Sequence, residues 1–202
     1  MLKLRWLAKD IGIIPDFLSA DECAAFIRFS EDKGYGEAPV TTAFGMVMMK
    51  DVRNNDRVMV DDAAEAARLH ARARPFLPPK IHEKWRPCGL NERLRFYRYD
   101  RRQQFDWHYD GCYERETGER SFFTFMIYLN EGFSGGNTIF DELGDVRGGP
   151  NRLVVSPQQG MALLFRHPLL HQGEPVAAGR KYVLRTDVMY TARKMAAVPE
   201  PD

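Results

Sequence analysis

Apolar residues follow two spacings along the chain, helical before about Pro87 and strand-like after it. Ser19-Ala-Asp-Glu22 has the pattern of a capping box, a serine at the N-cap and a glutamate three residues on. It predicts a helix running to about Asp32, where Lys33-Gly34 ends it. Asp62 with Glu65 opens a second helix over Ala63–Arg74, which Pro75 stops because proline has no N–H for the next helical bond. Between the two, the stretch from about Gly36 to Asp61 is rich in Gly, Thr, Met and Asn, as long binding loops and lids are. After Pro87, Leu94–Tyr99 alternates polar and aromatic residues, and Phe122–Leu129 is a continuous apolar run of strand length. Arg152–Val155, Gly160–Phe165 and Lys181–Tyr190 follow, separated by Gly-, Pro- and Asn-containing turns. Helices followed by several short strands predict an α+β sandwich or jelly roll with the helices packed on one sheet.

Composition narrows the function classes. The chain has 202 residues, 44% hydrophobic and 28% charged, enough to bury a core without disulfides or a structural metal. Lys+Arg number 29 and Asp+Glu 28, a net charge of +1, which supplies no field for nucleic acid or an anionic membrane. No apolar run approaches the ~20 residues needed to span a bilayer. Cys23, Cys88 and Cys112 are scattered and odd in number, the pattern of reduced thiols in a cytoplasmic protein. No signal peptide is expected from the charged first ten residues.

Candidate chemistry centres on the five histidines. His70 and His82 have no carboxylate at a telling spacing. His108-Tyr-Asp110 is different, because on a strand residues i and i+2 point to one face, so imidazole and carboxylate converge while Tyr109 points away. Two ligands of a 2-His-1-carboxylate facial triad for non-haem Fe(II) would result. The third must come from a distant strand. His171 is the candidate, and His167, followed by Pro168, is the competitor. Lys181 and Arg185 lie ten and fourteen residues after His171. In Lys181–Tyr190, positions 181, 183, 185 and 187 share one face, Lys-Val-Arg-Asp, while Tyr182, Leu184, Thr186, Val188 and Tyr190 share the other. A strand with two cations on one face suits a wall that receives an anionic cosubstrate, or else a solvated edge.

Four ordered segments carry a resemblance over roughly Asn91 to Tyr190. They are Phe96-Tyr-Arg-Tyr-Asp…Phe105-Asp-Trp-His108-Tyr-Asp110; Thr124-Phe-Met-Ile-Tyr128-Leu-Asn130…Gly135-Gly136-Asn-Thr138-Ile-Phe140; Gly160–Phe165; and His171-Gln-Gly-Glu-Pro175…Gly179-Arg-Lys181-Tyr. Together they resemble the Fe(II)/2-oxoglutarate-dependent dioxygenases, specifically the prolyl 4-hydroxylase-like branch. The resemblance implies one domain over 1–202, with residues 1–90 as helical support and lid and 91–190 as a double-stranded β-helix, cupin-like core. It implies His108, Asp110 and His171 as iron ligands and catalytic centre, with Lys181 pairing the distal carboxylate of 2-oxoglutarate. Tyr99 matches a tyrosine whose hydroxyl reaches that cosubstrate, and Thr124 a threonine lining its pocket. The implied cofactors are Fe(II), 2-oxoglutarate and O2, with ascorbate as support, and the implied products are succinate, CO2 and a hydroxylated peptidyl or free amino acid or small metabolite. An aspartate at 110 argues for hydroxylation, since a halogenating relative needs a small residue there.

Two positions depart from the pattern. Arg180 competes with Lys181, and strand alternation favours Lys181, which shares its face with Arg185. Asn137 stands where a small or acidic residue is usual. Arg53, Asn55 and Arg57 fall in a polar stretch flanked by Met46–Met49 and Val58–Val60, and read either as substrate contacts or as a solvated turn; Trp107 is a further substrate candidate. Residues 111–120 and 144–151 read as loops at the pocket mouth. Two other functions fit the same residues: a catalytically silent sensor of metal or 2-oxoglutarate, and a repair hydroxylase acting on nucleic-acid bases.

Overall fold

The computed structural model describes residues 2–42, 45–141 and 152–192. Strands β1 (Arg5–Ala8) and β2 (Ile11–Ile14) precede helix α1 (Ala20–Lys33). The short strands β3 (Gly36–Glu37), β4 (Val40–Thr42) and β5 (Gly45–Val47) then lead through β6 (Asp56–Asp61) to helix α2 (Ala63–Ala73). Strands β7 (Trp85–Leu90), β8 (Arg93–Tyr99), β9 (Phe105–His108) and β10 (Arg120–Tyr128) come next. The order ends with β11 (Ser134–Gly135), β12 (Thr138–Asp141), β13 (Arg152–Val155), β14 (Ala162–Arg166), β15 (Leu170–Gly173), β16 (Val176–Ala178) and β17 (Lys181–Ala192).

Both helices begin where their caps stand. The Ser19 hydroxyl accepts from the Glu22 N–H at 3.2 Å, and the Glu22 carboxylate accepts from the Ser19 N–H at 2.9 Å. Gly34, at a φ of 79°, ends α1. Asp62 caps α2, which tightens into a 3-10 turn at Arg74–Phe76 around Pro75.

A nine-stranded sheet runs β1-β2-β14-β10-β17-β8-β6-β3, with β7 paired to the far half of β17, and every pairing is antiparallel. A four-stranded sheet runs β13-β12-β15-β9. Alternation divides the side chains of the large sheet. One face sends Leu94, Phe96, Phe123, Phe125 and Leu184 into a cluster with Cys23 of α1 and Ala66, Leu69 and Ala73 of α2. The other sends Tyr97, Tyr99, Tyr128, Phe165 and Val183 against Phe140 and Val155 of the small sheet. The architecture is thus a mostly antiparallel, jelly-roll-like sandwich with few helices.

The first ninety residues are not the purely helical support expected. β2 is a fully buried strand on β14, and β6 extends the sheet on β8 through six aligned residues. Ile11–Ile14 is too short an apolar run for its period to show, and Asp56–Asp61 lies inside a stretch whose polar residues resemble a loop. β7 was missed because Pro87 breaks the strand pattern; among the described strands it pairs with β17, at the sheet margin where proline is tolerated. Residues 144–151 lie outside the described residues. No helix among the described residues is long and apolar enough to cross a membrane.

Gly160 ties the N-terminal segment to the sheet. Its carbonyl accepts from the Leu18 N–H at 3.0 Å, and its own N–H donates to the Tyr128 carbonyl at 2.8 Å. At φ +77° a Cβ would stand 2.1 Å from the Leu18 carbonyl oxygen. Gly160→Ala is therefore expected to lower the unfolding free energy by about 1–3 kcal/mol, read as a drop in the urea midpoint.

Candidate active site

Pairing of β15 with β9 places His171 directly across from His108. The two ring centroids lie 4.2 Å apart. Each imidazole is oriented by its own strand: Nδ1 of His108 is 2.7 Å from the Asp106 carbonyl, and Nδ1 of His171 is 2.9 Å from the Leu169 carbonyl. A carbonyl only accepts, so each Nδ1 carries the proton and donates it, which leaves each Nε2 with a free lone pair. Asp110 sits two residues past the end of β9, still close enough that its Oδ1 is 3.7 Å from His108 Nε2 and its Oδ2 3.7 Å from His171 Nε2. Candidate ligand atoms of the three residues all lie within 4.8 Å of one another.

This donor set fits a divalent metal. Burial pushes His108 down to about 3 and lowers His171 as well, so both rings are neutral. Burial works to raise Asp110, but the Arg185 guanidinium beside it holds the carboxyl well below the usual carboxylate range. Two neutral imidazoles and one carboxylate on one face of a site match the facial triad of Fe(II). Phe105 stacks on His108 at 3.5 Å and 12°, and Phe140 and Phe165 flank His171, fixing the ring planes in a dry wall.

A small cavity of about 40 Å³ opens from the triad along the inner face of β17. Lys181, Val183 and Arg185 all line it, as do Tyr99 and Thr124. Lys181 is 3% exposed. Its Nζ donates to the Gly136 carbonyl at 2.5 Å and lies 5.2 Å and 5.4 Å from the ring centres of Tyr99 and Tyr128. Burial pushes its pKa down to about 7, opposed only by the more distant Glu174. Arg180 points the other way, its Nε bonded to Asp100 at 2.5 Å on the α1 side of the sheet. Arg185 Nη2 lies 3.0 Å from Asp110 Oδ1 and 3.4 Å from Asp187, and Thr124 donates to the second Asp110 oxygen at 2.5 Å.

Arg53 and Asn55 are buried, with Arg53 Nε donating to Asn55 Oδ1 at 2.8 Å. The Arg53 guanidinium lies over Tyr97 at 4.7 Å and over Phe105 at 4.5 Å, two rings that line the cavity. Arg57 is half-buried and stands across the strand pair from Tyr97. Trp107 does not line the cavity; Arg152 lies over its ring at 4.8 Å. His167 is buried beside Asp187, 3.8 Å away, and takes no part in the triad. Sequence reasoning missed Tyr97, Phe105, Met126 and Thr138 among the lining residues. Tyr97 was accessible to it, being two residues from Tyr99 on the same strand face.

Residues 94–186 match the family model described as the 2OG-Fe(II) oxygenase superfamily. That stretch, just under half of the chain, contains all three residues of the triad. The chain resembles a putative prolyl 4-hydroxylase of Acanthamoeba polyphaga mimivirus, 23% identical over 193 residues covering 85% of this chain and 70% of the relative. Its fold resembles the viral collagen prolyl hydroxylase from Paramecium Bursaria Chlorella virus-1 solved with 2OG, with a TM-score of 0.59 at 22% identity, covering 90% of this chain and 97% of that one. It also resembles a prolyl hydroxylase from Trichoplax adhaerens solved with a hypoxia inducible factor peptide, with a TM-score of 0.66 at 15% identity, covering 95% and 88%.

The environment of the triad separates its members by stability. His108→Ala is expected to abolish Fe(II) binding in equilibrium dialysis while the urea midpoint stays near wild type. Asp110→Ala also abolishes it, but strips Arg185 of its nearest carboxylate and so costs about 3 kcal/mol of stability without metal present. Equal midpoints for the two variants would contradict the Arg185–Asp110 contact.

Proposed function

We propose that the protein is an Fe(II)- and 2-oxoglutarate-dependent dioxygenase that hydroxylates a peptidyl or free amino acid or a small metabolite, releasing succinate and CO2. One observation carries this reading beyond the superfamily match: a buried lysine with no carboxylate at its head among the described residues, in the same cavity as a complete His-Asp-His cluster. A buried cation without a partner is costly, and its pKa falls until it is neutral or an anion arrives. A dicarboxylate with one end on Lys181 removes that penalty.

His108, Asp110 and His171 would hold the iron, and Lys181 the distal carboxylate of 2-oxoglutarate. When bound, iron and O2 supply the oxidant that replaces a substrate C–H by C–OH as 2-oxoglutarate loses CO2. The chain's share is positional. Lys181 and the neighbouring Tyr99 ring set which end of the cosubstrate lies deep. Gly136 keeps that end open, since a Cβ there would press on the Lys181 stem at 3.2 Å. Thr124 and Arg185 hold Asp110 ionised and oriented. Phe105, Phe140 and Phe165 exclude water from the imidazoles.

Succinate release on adding Fe(II), ascorbate and 2-oxoglutarate tests the activity. A silent sensor would bind without turnover, and a base-repair enzyme would be stimulated by single-stranded nucleic acid and not by amino acids or peptides.

Lys181→Ala is expected to raise the 2-oxoglutarate requirement about ten- to a hundredfold at unchanged iron affinity, the loss of one charged hydrogen bond. Arg180→Ala, on the opposite face, changes it little. If Arg180→Ala shows the larger shift, the cosubstrate lies elsewhere.

The same lysine sets a pH dependence. Below pH 7 Lys181 is already protonated in the free protein, so 2-oxoglutarate affinity is flat there. Above pH 7 the free lysine is neutral while the bound one is charged, so binding takes up a proton. Affinity then falls by up to about tenfold per pH unit. Calorimetry at pH 8 in buffers of different ionisation enthalpy reads this proton directly.

A further inference from the structure

At the opposite end of the same face from Lys181, guanidinium groups outnumber their carboxylates. Arg185 lies four residues along β17 from Lys181, about 13 Å at the rise of a strand. Arg95 sits across from it on β8, and Arg57 sits beside Tyr97 on β6. Arg53 covers the Tyr97 and Phe105 rings. These four cations meet two buried acids, Asp110 and Asp187. Asp187 is already shared among Arg95, Arg185 and Asn91, and Asp110 belongs to the triad.

The surplus is concentrated on particular atoms. Arg53 Nη2 and Arg185 Nε are buried with no hydrogen-bond partner. Stacking on aromatic rings accounts for the plane of Arg53 and Asn55 takes its Nε, which leaves Nη2 unused. No ion pair joins Arg53 or Arg57 to a carboxylate among the described residues, and Arg57 feels the like charges of Arg53, Arg95 and Arg185. Burial first, then those like charges, lower its pKa in spite of Tyr97. Guanidinium forks with free edges recognise planar oxyanions, carboxylates above all.

We infer that Arg53, Arg57 and Arg185 form a substrate subsite that selects a small molecule carrying a free carboxylate, such as an unblocked amino acid or other organic acid. This rests on the oxygenase reading, in which Lys181 engages the distal carboxylate of the cosubstrate. The Arg185 end needs a different anion. An internal residue of a peptide offers only neutral amides to these donors, and Arg53, 4% exposed, is reached by a small buried acid more readily than by a continuous chain.

The test uses the full chain loaded with Zn(II), which is redox-inert, and saturating 2-oxoglutarate. Melting temperature is followed with free L-amino acids and three- to six-carbon monocarboxylic acids, their primary amides, and capped peptides with and without an internal glutamate. At least one free acid is expected to stabilise the protein saturably while its amide does not. Arg57→Ala should weaken that acid by about tenfold or more, with Arg57→Lys in between. Arg57 is the residue to change because it is only half-buried, so its variants fold. The inference is overturned if acid and amide bind alike, if no free acid binds, if only a peptide binds, or if Arg57→Ala weakens 2-oxoglutarate more than the acid. Metal-dependent succinate release by the Fe(II) wild type is measured alongside. Its absence would sink the oxygenase reading, and the Zn(II) binding result reports on the subsite either way.

Discussion

The antiparallel pairing of β9 with β15 is the constraint on which the site depends. It sets His108 opposite His171, although 63 residues separate them in the chain. Side chains alternate along a strand, so a slip of one residue would turn one imidazole out of the site and no metal centre would form. The pairing also supplies the two local carbonyl contacts that fix both tautomers, Asp106 for one ring and Leu169 for the other. Asp110, two residues beyond the strand, completes the set.

Around that pairing the inner face of the large sheet carries an unusual load of charge. Lys181, Arg185, Asp187 and Asp110 are all buried, and burial of ions is costly unless each finds a partner. Asp110 and Arg185 offset each other, as do Asp187 and Arg95. Among the described residues Lys181 has no ion pair, and Nη2 of Arg53 and Nε of Arg185 have no hydrogen-bond partner. Stability and function are opposed here, because an apolar lining would cost less and bind nothing charged.

The outer face does the ordinary work of folding. Phe96, Phe123, Phe125 and Leu184 bury themselves with the α1 and α2 side chains, and the capping box and Gly160 fix where the N-terminal segment enters. One sheet therefore separates a greasy stabilising face from a charged functional one. β17 shows this most plainly: Tyr182, Leu184 and Val188 face the first cluster while Lys181, Val183 and Arg185 line the cavity.

Much of this was legible in the residues alone. Capping at Ser19 and Asp62, the alternation of β8 and β17, and the preference for Lys181 over Arg180 all follow from local periods and hydrogen-bonding chemistry. His108-Tyr-Asp110 was visible as a pair because its members are two residues apart. What lay beyond reach depends on pairing across long separations. β2 and β6 are too short or too polar for a period to reveal them, yet their neighbours β14 and β8 bring them into the large sheet. Arg53 and Arg57 looked equally like a solvated turn; only the bridge of Arg53 to Phe105 and the docking of β6 on β8 put them beside Tyr97, and Arg57 within the field of Arg185, more than a hundred residues away. The sequence by itself determined which side chains each strand presents to each face. The tertiary structure alone decided which strands meet, and so which charges are left without partners, because strand pairing is set by the whole core and not by any local stretch of chain.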